Sequence, residues 1–456
     1  MTTATNQEVD QEVDQEAYQV VDQAADQTFL DAAWRIGARL CRDAIWAGNK
    51  CNWVGPSMEY LDNSWKTVYR AYSSDIYSGT CGIGYFLSQL YSRSRDPIQR
   101  KTAIGCFEQA IANADKTPAS ARIGLYTGWA GMAYALRYGG RLLETDAFET
   151  PADHLLEAIA DYRLEEGGID MLAGCAGAIP VLLSFGRAGT RELEDKLLTQ
   201  AKNIGDYLIR IAHKNGRGWS WNTLPSHSAG ADGNLTGLSH GAAGIAWALV
   251  ELYHVTKEET YLDAARCAFA YERQLFRPEY GNWPDLRSNQ DASPGGRQDT
   301  AARYGMHAWC HGAPGIGLSR LRIASLVDDD ACKEEAAAAL ASTSANIRQS
   351  LDSRQANFSL CHGIAGNTEL LLMAADTSGS PQWLSFARQV GQAGLDRYAR
   401  PDQCWPCGIM GAGETPGLLL GLAGIGYFYL RLSDPATVPS ILLPLPLKED
   451  QLHVGF

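Results

Sequence analysis

The stretch CHGAPGIGLSRL, residues 310–321, returns almost unchanged as CHGIAGNTELLL at residues 361–372. Each copy places a Gly-x-x-Gly pair ahead of an apolar run. This pattern is typical of a helix whose first turn packs closely against neighbouring backbone. Pro314 in the first copy fits the first turn of a helix, where no backbone amide donor is needed. Two equivalent helix starts in one chain indicate a repeat architecture.

The motif occurs seven times in the sequence. The other five copies are YSGTCGIGYFL (77–87), YTGWAGMAYAL (126–136), LAGCAGAIPVLL (172–183), SHGAAGIAWAL (239–249) and LLGLAGIGYFYL (419–430). The runs after the glycines are apolar on nearly every side, which is typical of inner helices. We therefore predict an all-α protein, an α/α toroid whose seven inner helices follow the seven motifs.

A longer amphipathic segment with one charged face precedes each motif, as expected of an outer helix. The seven segments span residues 28–48, 96–116, 146–166, 192–214, 259–276, 334–353 and 381–399. Since a closed ring cannot be divided without exposing its inner helices, we predict that residues 28–456 form one domain.

Residues 1–27 differ in composition, because they contain seven acidic residues and no Lys or Arg. Few large apolar groups are available there, which favours a solvated and mobile acidic tail. Val9, Val13, Ala17 and Val21 are spaced as on one face of a helix, so a weakly amphipathic helix that folds on a partner is the alternative.

The charge and composition narrow the class of partner. The formal net charge is −13, whereas nucleic-acid binders need a basic surface, so a peptide or small molecule is the expected partner. We predict no signal peptide and no membrane span, because the most apolar stretch, around residues 416–430, is short and broken by glycine. An odd count of 11 cysteines favours reduced thiols and a cytoplasmic location.

The two residues before each first glycine should cluster around the central opening, because all inner helices of a toroid start on the same face. These pairs are Tyr77-Ser78, Tyr126-Thr127, Leu172-Ala173, Ser239-His240, Cys310-His311, Cys361-His362 and Leu419-Leu420. Two thiolates and an imidazole from neighbouring repeats suit tetrahedral zinc with one open position, the arrangement of a catalytic site. Buried cysteines beside capping histidines are the alternative interpretation.

The motifs WCHGAPGIG, SLCHGIAG, GLSHGAAGIAWAL and TPGLLLGLAGIGYFYLRL resemble the lanthionine synthetase C-like family, the lanthipeptide cyclases, over roughly residues 30–435. The resemblance implies an α/α toroid and a Zn²⁺ ion held by Cys310, Cys361 and His362. It also implies roles for His240 and for Asp170, which precedes the third glycine pair in GGIDMLAGCAG.

The chemistry implied by the resemblance is the closure of thioether rings in a peptide. Zinc activates a substrate cysteine thiol, and the thiolate adds to the β-carbon of a dehydroalanine or dehydrobutyrine in the same peptide. The enolate formed must then be protonated. His240 is the expected general acid, and Asp170 is expected to orient it or to handle the thiol proton, with capping roles as the alternative for both.

The sequence departs from the family pattern in three respects. Some members have Tyr at the position of His311, so His311 either shares the proton role or shapes the pocket. Met306 stands where some cyclases have an Arg. No dehydratase or lyase domain precedes the toroid, so a separate dehydratase is expected to prepare the precursor peptide.

Two further questions stay open at this stage. The first question is the function, for which there are two alternatives. The protein could be an enzyme that adds glutathione or another small thiol to dehydroamino acids, or a non-catalytic toroid that binds a peptide. The long polar loop over residues 279–304 is either a lid over the zinc pocket or a surface excursion.

Overall fold

A computed structural model describes residues 4–61, 64–185, 190–223, 233–287, 300–353, 357–409 and 411–444 of the chain. In these residues, seven inner and seven outer helices form the predicted α/α toroid. Neighbouring inner helices pack side by side, and the last one packs against the first, so the inner ring is closed. The predicted fold class is thus confirmed.

The inner helices begin within one or two residues of the first glycine of each motif and are almost wholly buried. They are α2 (Thr80–Ser94), α4 (Trp129–Leu142), α6 (Cys175–Phe185), α8 (Ala242–Thr256), α11 (Ala313–Leu326), α13 (Ile364–Ser378) and α15 (Leu422–Ser433).

The outer helices form a second layer around the inner ring, and the short helix α10 (Thr300–Arg303) precedes the fifth motif. They are α1 (Ala4–Asp43), α3 (Pro97–Ile111), α5 (Glu149–Ala160), α7 (Arg191–Ile211), α9 (Glu259–Arg273), α12 (Asp330–Ser353) and α14 (Pro381–Tyr398). Each inner helix from α2 to α13 packs on the outer helix that follows it in the chain, whereas α15 packs on α1. Helix α1 also contacts α3 and α14, so it lies between the second and the last outer helix of the chain.

A closed ring of backbone hydrogen bonds joins the seven loops that precede the inner helices. One N–H in each loop donates to the carbonyl of the equivalent residue in the next loop: Tyr77 to Tyr126 (2.9 Å), Tyr126 to Leu172 (2.9 Å), Leu172 to Ser239 (3.1 Å), Ser239 to Cys310 (3.3 Å), Cys310 to Cys361 (3.4 Å), Cys361 to Leu419 (2.9 Å) and Leu419 to Tyr77 (2.8 Å). These are the first residues of the seven pairs ahead of the glycines. The ring therefore holds all seven motifs in one register.

The second glycine of each motif allows the inner helix to pack on its own loop. A Cβ added to Gly131 would lie 1.7 Å from the carbonyl oxygen of Leu125, and one added to Gly366 would lie 1.8 Å from that of Leu360. The same close approach, to the residue six positions earlier, recurs in all seven motifs. A side chain at these positions would push the helix away from the loop that carries the backbone ring.

The structure contains three antiparallel hairpins that we did not predict. The paired strands are β1 (Ile45–Ala47) with β2 (Lys50–Asn52), β3 (Val54–Leu61) with β4 (Ser64–Ala71), and β5 (His213–Asn215) with β6 (Gly218–Ser220). The predicted outer helices over 28–48 and 192–214 end earlier, at Asp43 and Ile211, because the chain enters a hairpin. At the first hairpin, Gly48 makes the reversal with a φ of 65°.

Helix α1 begins at Ala4 and so includes most of the acidic segment, for which a helix was the alternative to a mobile tail. The mobility of that segment and the division of the chain at residue 27 stay predictions. Within the described residues, no helix combines the length and the apolar character needed to cross a membrane.

Glu272, on α9, connects two of the loops and helices around the ring. Its Oε1 accepts hydrogen bonds from the backbone N–H of Gly237 (2.9 Å) and Ala243 (3.0 Å). Its Oε2 accepts from Arg320 at 2.8 Å, and both side chains are fully buried. A buried carboxylate with three donors is satisfied, whereas its removal would leave two amides without this acceptor and Arg320 with Glu335 (2.6 Å) as its remaining carboxylate partner.

We expect Glu272→Ala to lower the free energy of unfolding by about 3–5 kcal/mol, as for other buried ion pairs that lose one member. Urea denaturation followed by circular dichroism measures the change. Glu165→Ala is the control, because its ion pair with Arg210 is exposed and 3.6 Å long. Equal stability of the two variants would contradict the role given to Glu272.

Candidate functional site

Cys310 and Cys361 are neighbours in the backbone ring, and both are buried. Interaction with the Cys361 side chain outweighs burial and lowers the pKa of Cys310. The pKa of Cys361 is raised by the same interaction, by burial and by the charge of Cys310, all of which disfavour a second thiolate. Full deprotonation of the pair therefore requires a nearby cation.

His362 lies beside this pair with one ring nitrogen already engaged. Its Nε2 is 2.9 Å from the carbonyl oxygen of Gly408, so Nε2 carries the proton and Nδ1 has the free lone pair. Burial lowers the pKa of His362, which favours the neutral ring. A fixed tautomer of this kind is common among metal-binding histidines, whose second nitrogen is held by the protein.

The donor set fits zinc chemically. Two sulfurs and one imidazole nitrogen are the ligand types that zinc prefers, and three protein ligands leave a fourth position open. In the part of the chain that the structure describes, no three Cys, His, Asp or Glu side chains already converge as a complete metal-binding set. The three residues thus offer suitable donors, while their metal-bound arrangement stays a prediction.

The structure brings Asp170 and His240 together, although 70 residues separate them in the chain. The Nδ1 of His240 lies 2.7 Å from Oδ2 of Asp170. The other carboxylate oxygen, Oδ1, accepts hydrogen bonds from the backbone N–H of Ala173 (2.7 Å) and Gly174 (3.0 Å). Asp170 therefore both caps its own loop and orients His240, so the two roles considered from the sequence coexist.

The pKa of His240 is raised above its ordinary value. Burial favours the neutral ring, but the carboxylate of Asp170 attracts and hydrogen-bonds the imidazolium, and the nearby Cys310 sulfur adds to this attraction. About a third of the His240 side chain remains exposed. Since its Nδ1 is bonded to Asp170, Nε2 is the nitrogen that can exchange a proton with a substrate.

His311 has a different environment from His240, although their ring centres are only 5.8 Å apart. His311 is buried, and within the described residues neither of its ring nitrogens makes a well-formed hydrogen bond. Burial and the Arg287 guanidinium lower its pKa to about 3. A neutral, buried imidazole is better suited to lining the pocket than to acting as a general acid.

Three residues near the site escaped the sequence interpretation. The Tyr77 hydroxyl donates to Sγ of Cys361 at 3.0 Å. Arg287 forms a two-pronged ion pair with Asp285, and its charge helps to lower the pKa of Cys310 and opposes the rise in the pKa of Cys361. Tyr77 stood at a position of the shared register and could have been noticed for its hydroxyl, whereas no local pattern distinguishes Asp285 or Arg287.

Arg287 lies in the polar loop over residues 279–304, for which the sequence left two interpretations, a lid over the pocket or a surface loop. Its side chain is 42% exposed, and its charge acts on both cysteines and on three histidines of the site. The beginning of this loop thus borders the pocket. Residues 288–299 of the loop lie outside the described part of the chain.

Comparison with known proteins gives a consistent set of relatives. Residues 70–443 match the family described as lanthionine synthetase C-like protein. A lacticin 481/lactococcin biosynthesis protein of Lactococcus lactis subsp. lactis is 23% identical over 412 residues, which are 86% of this chain and 39% of that protein. The chain thus spans about two fifths of that relative's length. The solved structure of nisin cyclase superposes with a TM-score of 0.59 at 19% identity, covering 80% of this chain and 90% of its own, which supports the fold.

The ion pair between Asp170 and His240 can be tested by titration. We expect His240 to titrate above about pH 6.5, the ordinary value for histidine, and Asp170→Asn to move its pKa below that value, since burial would then prevail. Histidine NMR resonances followed against pH give both values, and the other histidines are internal controls. An unchanged titration of His240 would contradict the pairing.

The same shift has a consequence for stability. A pKa that is raised in the folded state stabilises the fold below the unfolded-state pKa, and this contribution is lost as the pH rises through the folded-state pKa. Asp170→Asn should therefore cost more unfolding free energy at about pH 5.5 than at about pH 9.

Proposed function

The chain belongs to the lanthionine synthetase C-like protein family, and on this premise we propose that it is a zinc-dependent lanthipeptide cyclase. It adds cysteine thiols of a dehydrated precursor peptide to dehydroalanine or dehydrobutyrine and so closes lanthionine and methyllanthionine rings. The observation that carries the proposal is the backbone hydrogen bond from Cys310 to Cys361, which makes two thiols from separate repeats neighbours at one opening.

Cys310, Cys361 and His362 are the residues that would hold the zinc ion. When bound, zinc supplies a Lewis acid that lowers the pKa of a substrate thiol and so favours the thiolate near neutral pH. Cys310 and Cys361 are joined by a backbone hydrogen bond, and His362 is held through Nε2 by Gly408, which leaves its Nδ1 as the nitrogen that could bind the metal.

The ring closure moves one proton for each bond formed. The substrate thiol loses a proton, its sulfur bonds to the β-carbon of the dehydro residue, and the double-bond electrons shift towards the adjacent carbonyl as an enolate. The α-carbon then takes up a proton. His240 can deliver it from Nε2, because Asp170 holds Nδ1 and stabilises the imidazolium. Both carboxylate oxygens of Asp170 already accept hydrogen bonds, which favours the orienting role over proton transfer.

The wider setting of the reaction is also part of the proposal. The substrate is a dehydrated peptide, so a separate dehydratase is expected to act before this protein. The relative named as a lacticin 481/lactococcin biosynthesis protein supports a lanthipeptide precursor over a small thiol as the substrate. All 11 cysteines lie in described residues and are free thiols, which supports a reducing compartment such as the cytoplasm.

We expect the purified protein to hold about one zinc ion per chain, and Cys310→Ala or Cys361→Ala to lose it while staying folded. The fold should survive because the large core, and not the metal, closes the ring. Elemental analysis and circular dichroism measure the two quantities. Cys404→Ala is the control, because Cys404 is exposed and is not one of the three proposed ligands. Full cyclisation activity in zinc-free protein would contradict the metal site.

We expect His240→Ala to retain zinc but to cyclise a dehydrated peptide more slowly by about 10²–10⁴-fold, the usual size of general acid–base help. Mass spectrometry after thiol alkylation counts open rings, and reaction in deuterated water counts protons added at the α-carbon. Parallel reactions with glutathione test the small-thiol alternative. Unchanged ring closure would exclude His240 from the reaction, and loss of zinc would mean that it belongs to the ligand set.

A further inference from the structure

The hydrogen bond from Tyr77 to Cys361 sets one of the two site cysteines apart from the other. The Tyr77 hydroxyl donates to Sγ of Cys361 at 3.0 Å. A thiol sulfur is a weak acceptor, whereas hydrogen bonds to charged acceptors are about twice as strong as neutral ones. The contact therefore contributes most when Cys361 is a thiolate.

Tyr77 is held in place by the same backbone ring as Cys361. Its carbonyl accepts a hydrogen bond from the N–H of Leu419 (2.8 Å), and the carbonyl of Leu419 accepts one from Cys361 (2.9 Å). The two side chains are thus tied through only one intervening residue of the ring. Because both ends of the contact are fixed by backbone bonds, the hydroxyl is preorganised towards the sulfur.

The other polar side chains at the equivalent ring positions are directed elsewhere. The Tyr126 hydroxyl donates to the carbonyl of Ile441 at 2.9 Å, and the Ser239 hydroxyl to the carbonyl of Cys310 at 3.2 Å. Among the seven ring residues, all of which the structure describes, Tyr77 is therefore the one whose side chain donates to a site sulfur. Tyr126 provides a matched control at an equivalent position.

The charge of the proposed site gives this contact a function. Two protein thiolates and a substrate thiolate carry three negative charges, one more than a divalent cation offsets. We propose that Tyr77 is a positioning residue, whose hydroxyl holds Sγ of Cys361 beside Cys310 and withdraws negative charge from that sulfur. The inference rests on the proposed zinc site and deepens it, because it makes Cys361 the weaker electron donor of the two cysteines.

The test compares Tyr77→Phe with Tyr126→Phe, since each substitution removes one hydroxyl from an equivalent ring position. Zinc affinity is measured by competition with a chromophoric chelator. The protein is also loaded with Co²⁺ alone, and its sulfur-to-metal charge-transfer absorption is recorded. We expect Tyr77→Phe to keep one metal per chain but to bind zinc about 10–100-fold more weakly, as found for lost hydrogen bonds to metal ligands. Its absorption band should move to longer wavelength, because the sulfur becomes richer in electrons.

Tyr126→Phe should keep the wild-type zinc affinity and band position. Replacing Tyr77 by 3,5-difluorotyrosine, a stronger hydrogen-bond donor, should move the band to shorter wavelength. This second variant keeps the test possible if Tyr77→Phe does not fold. If the wild-type protein takes up metal but Tyr77→Phe and Tyr126→Phe have the same zinc affinity and band position, the role given to Tyr77 is wrong, whereas the proposed zinc site stands. Wild-type protein that takes up neither zinc nor Co²⁺ would overturn both this inference and the proposed function.

Discussion

The ring of seven backbone hydrogen bonds is the constraint on which the rest of this structure depends. Each loop before an inner helix donates to the next, and Leu419 returns the chain of bonds to Tyr77 at 2.8 Å. The bonds fix the rotation of every inner helix about the central opening, since each helix starts three residues after its ring residue. A close approach that only glycine permits then fixes each first turn against its loop.

The ring also determines which side chains can react together. Cys310 and Cys361 are 51 positions apart in the sequence but adjacent in the ring. His240 follows the ring member Ser239, and its side chain contacts Asp170 of the preceding motif. The proposed metal donors and the proposed acid–base pair thus each come from consecutive repeats. Their separation is set by the repeat itself, and the chemistry is set by which residues occupy the repeated positions.

The sequence predicted the parts of the structure that repeat. The glycine pairs mark in the sequence where each inner helix packs closely on the loop before it. The inner helices, their register and the proximity of Cys310 to Cys361 could therefore be inferred. The hairpins could not, because they depend on local reversals such as that at Gly48, which no repeat encodes. The same holds for Arg287 and for the bond of Tyr77 to sulfur, which arise from contacts between distant loops. The sequence could not show that Asp170 is both a cap and the partner of His240, because either role alone would account for an Asp at this position.

If the register of the ring assembles a sulfur-rich zinc site with a position open to a substrate thiol, the metal should gain a sulfur ligand when the peptide binds. X-ray absorption at the zinc edge, with and without a cysteine-containing dehydrated peptide, counts the sulfur neighbours of the metal. We expect two sulfurs at about 2.3 Å and one or two lighter neighbours in the free protein, and a third sulfur when the peptide is bound. A zinc shell without sulfur, or a sulfur count that the peptide leaves unchanged, would mean that the ring does not assemble such a site.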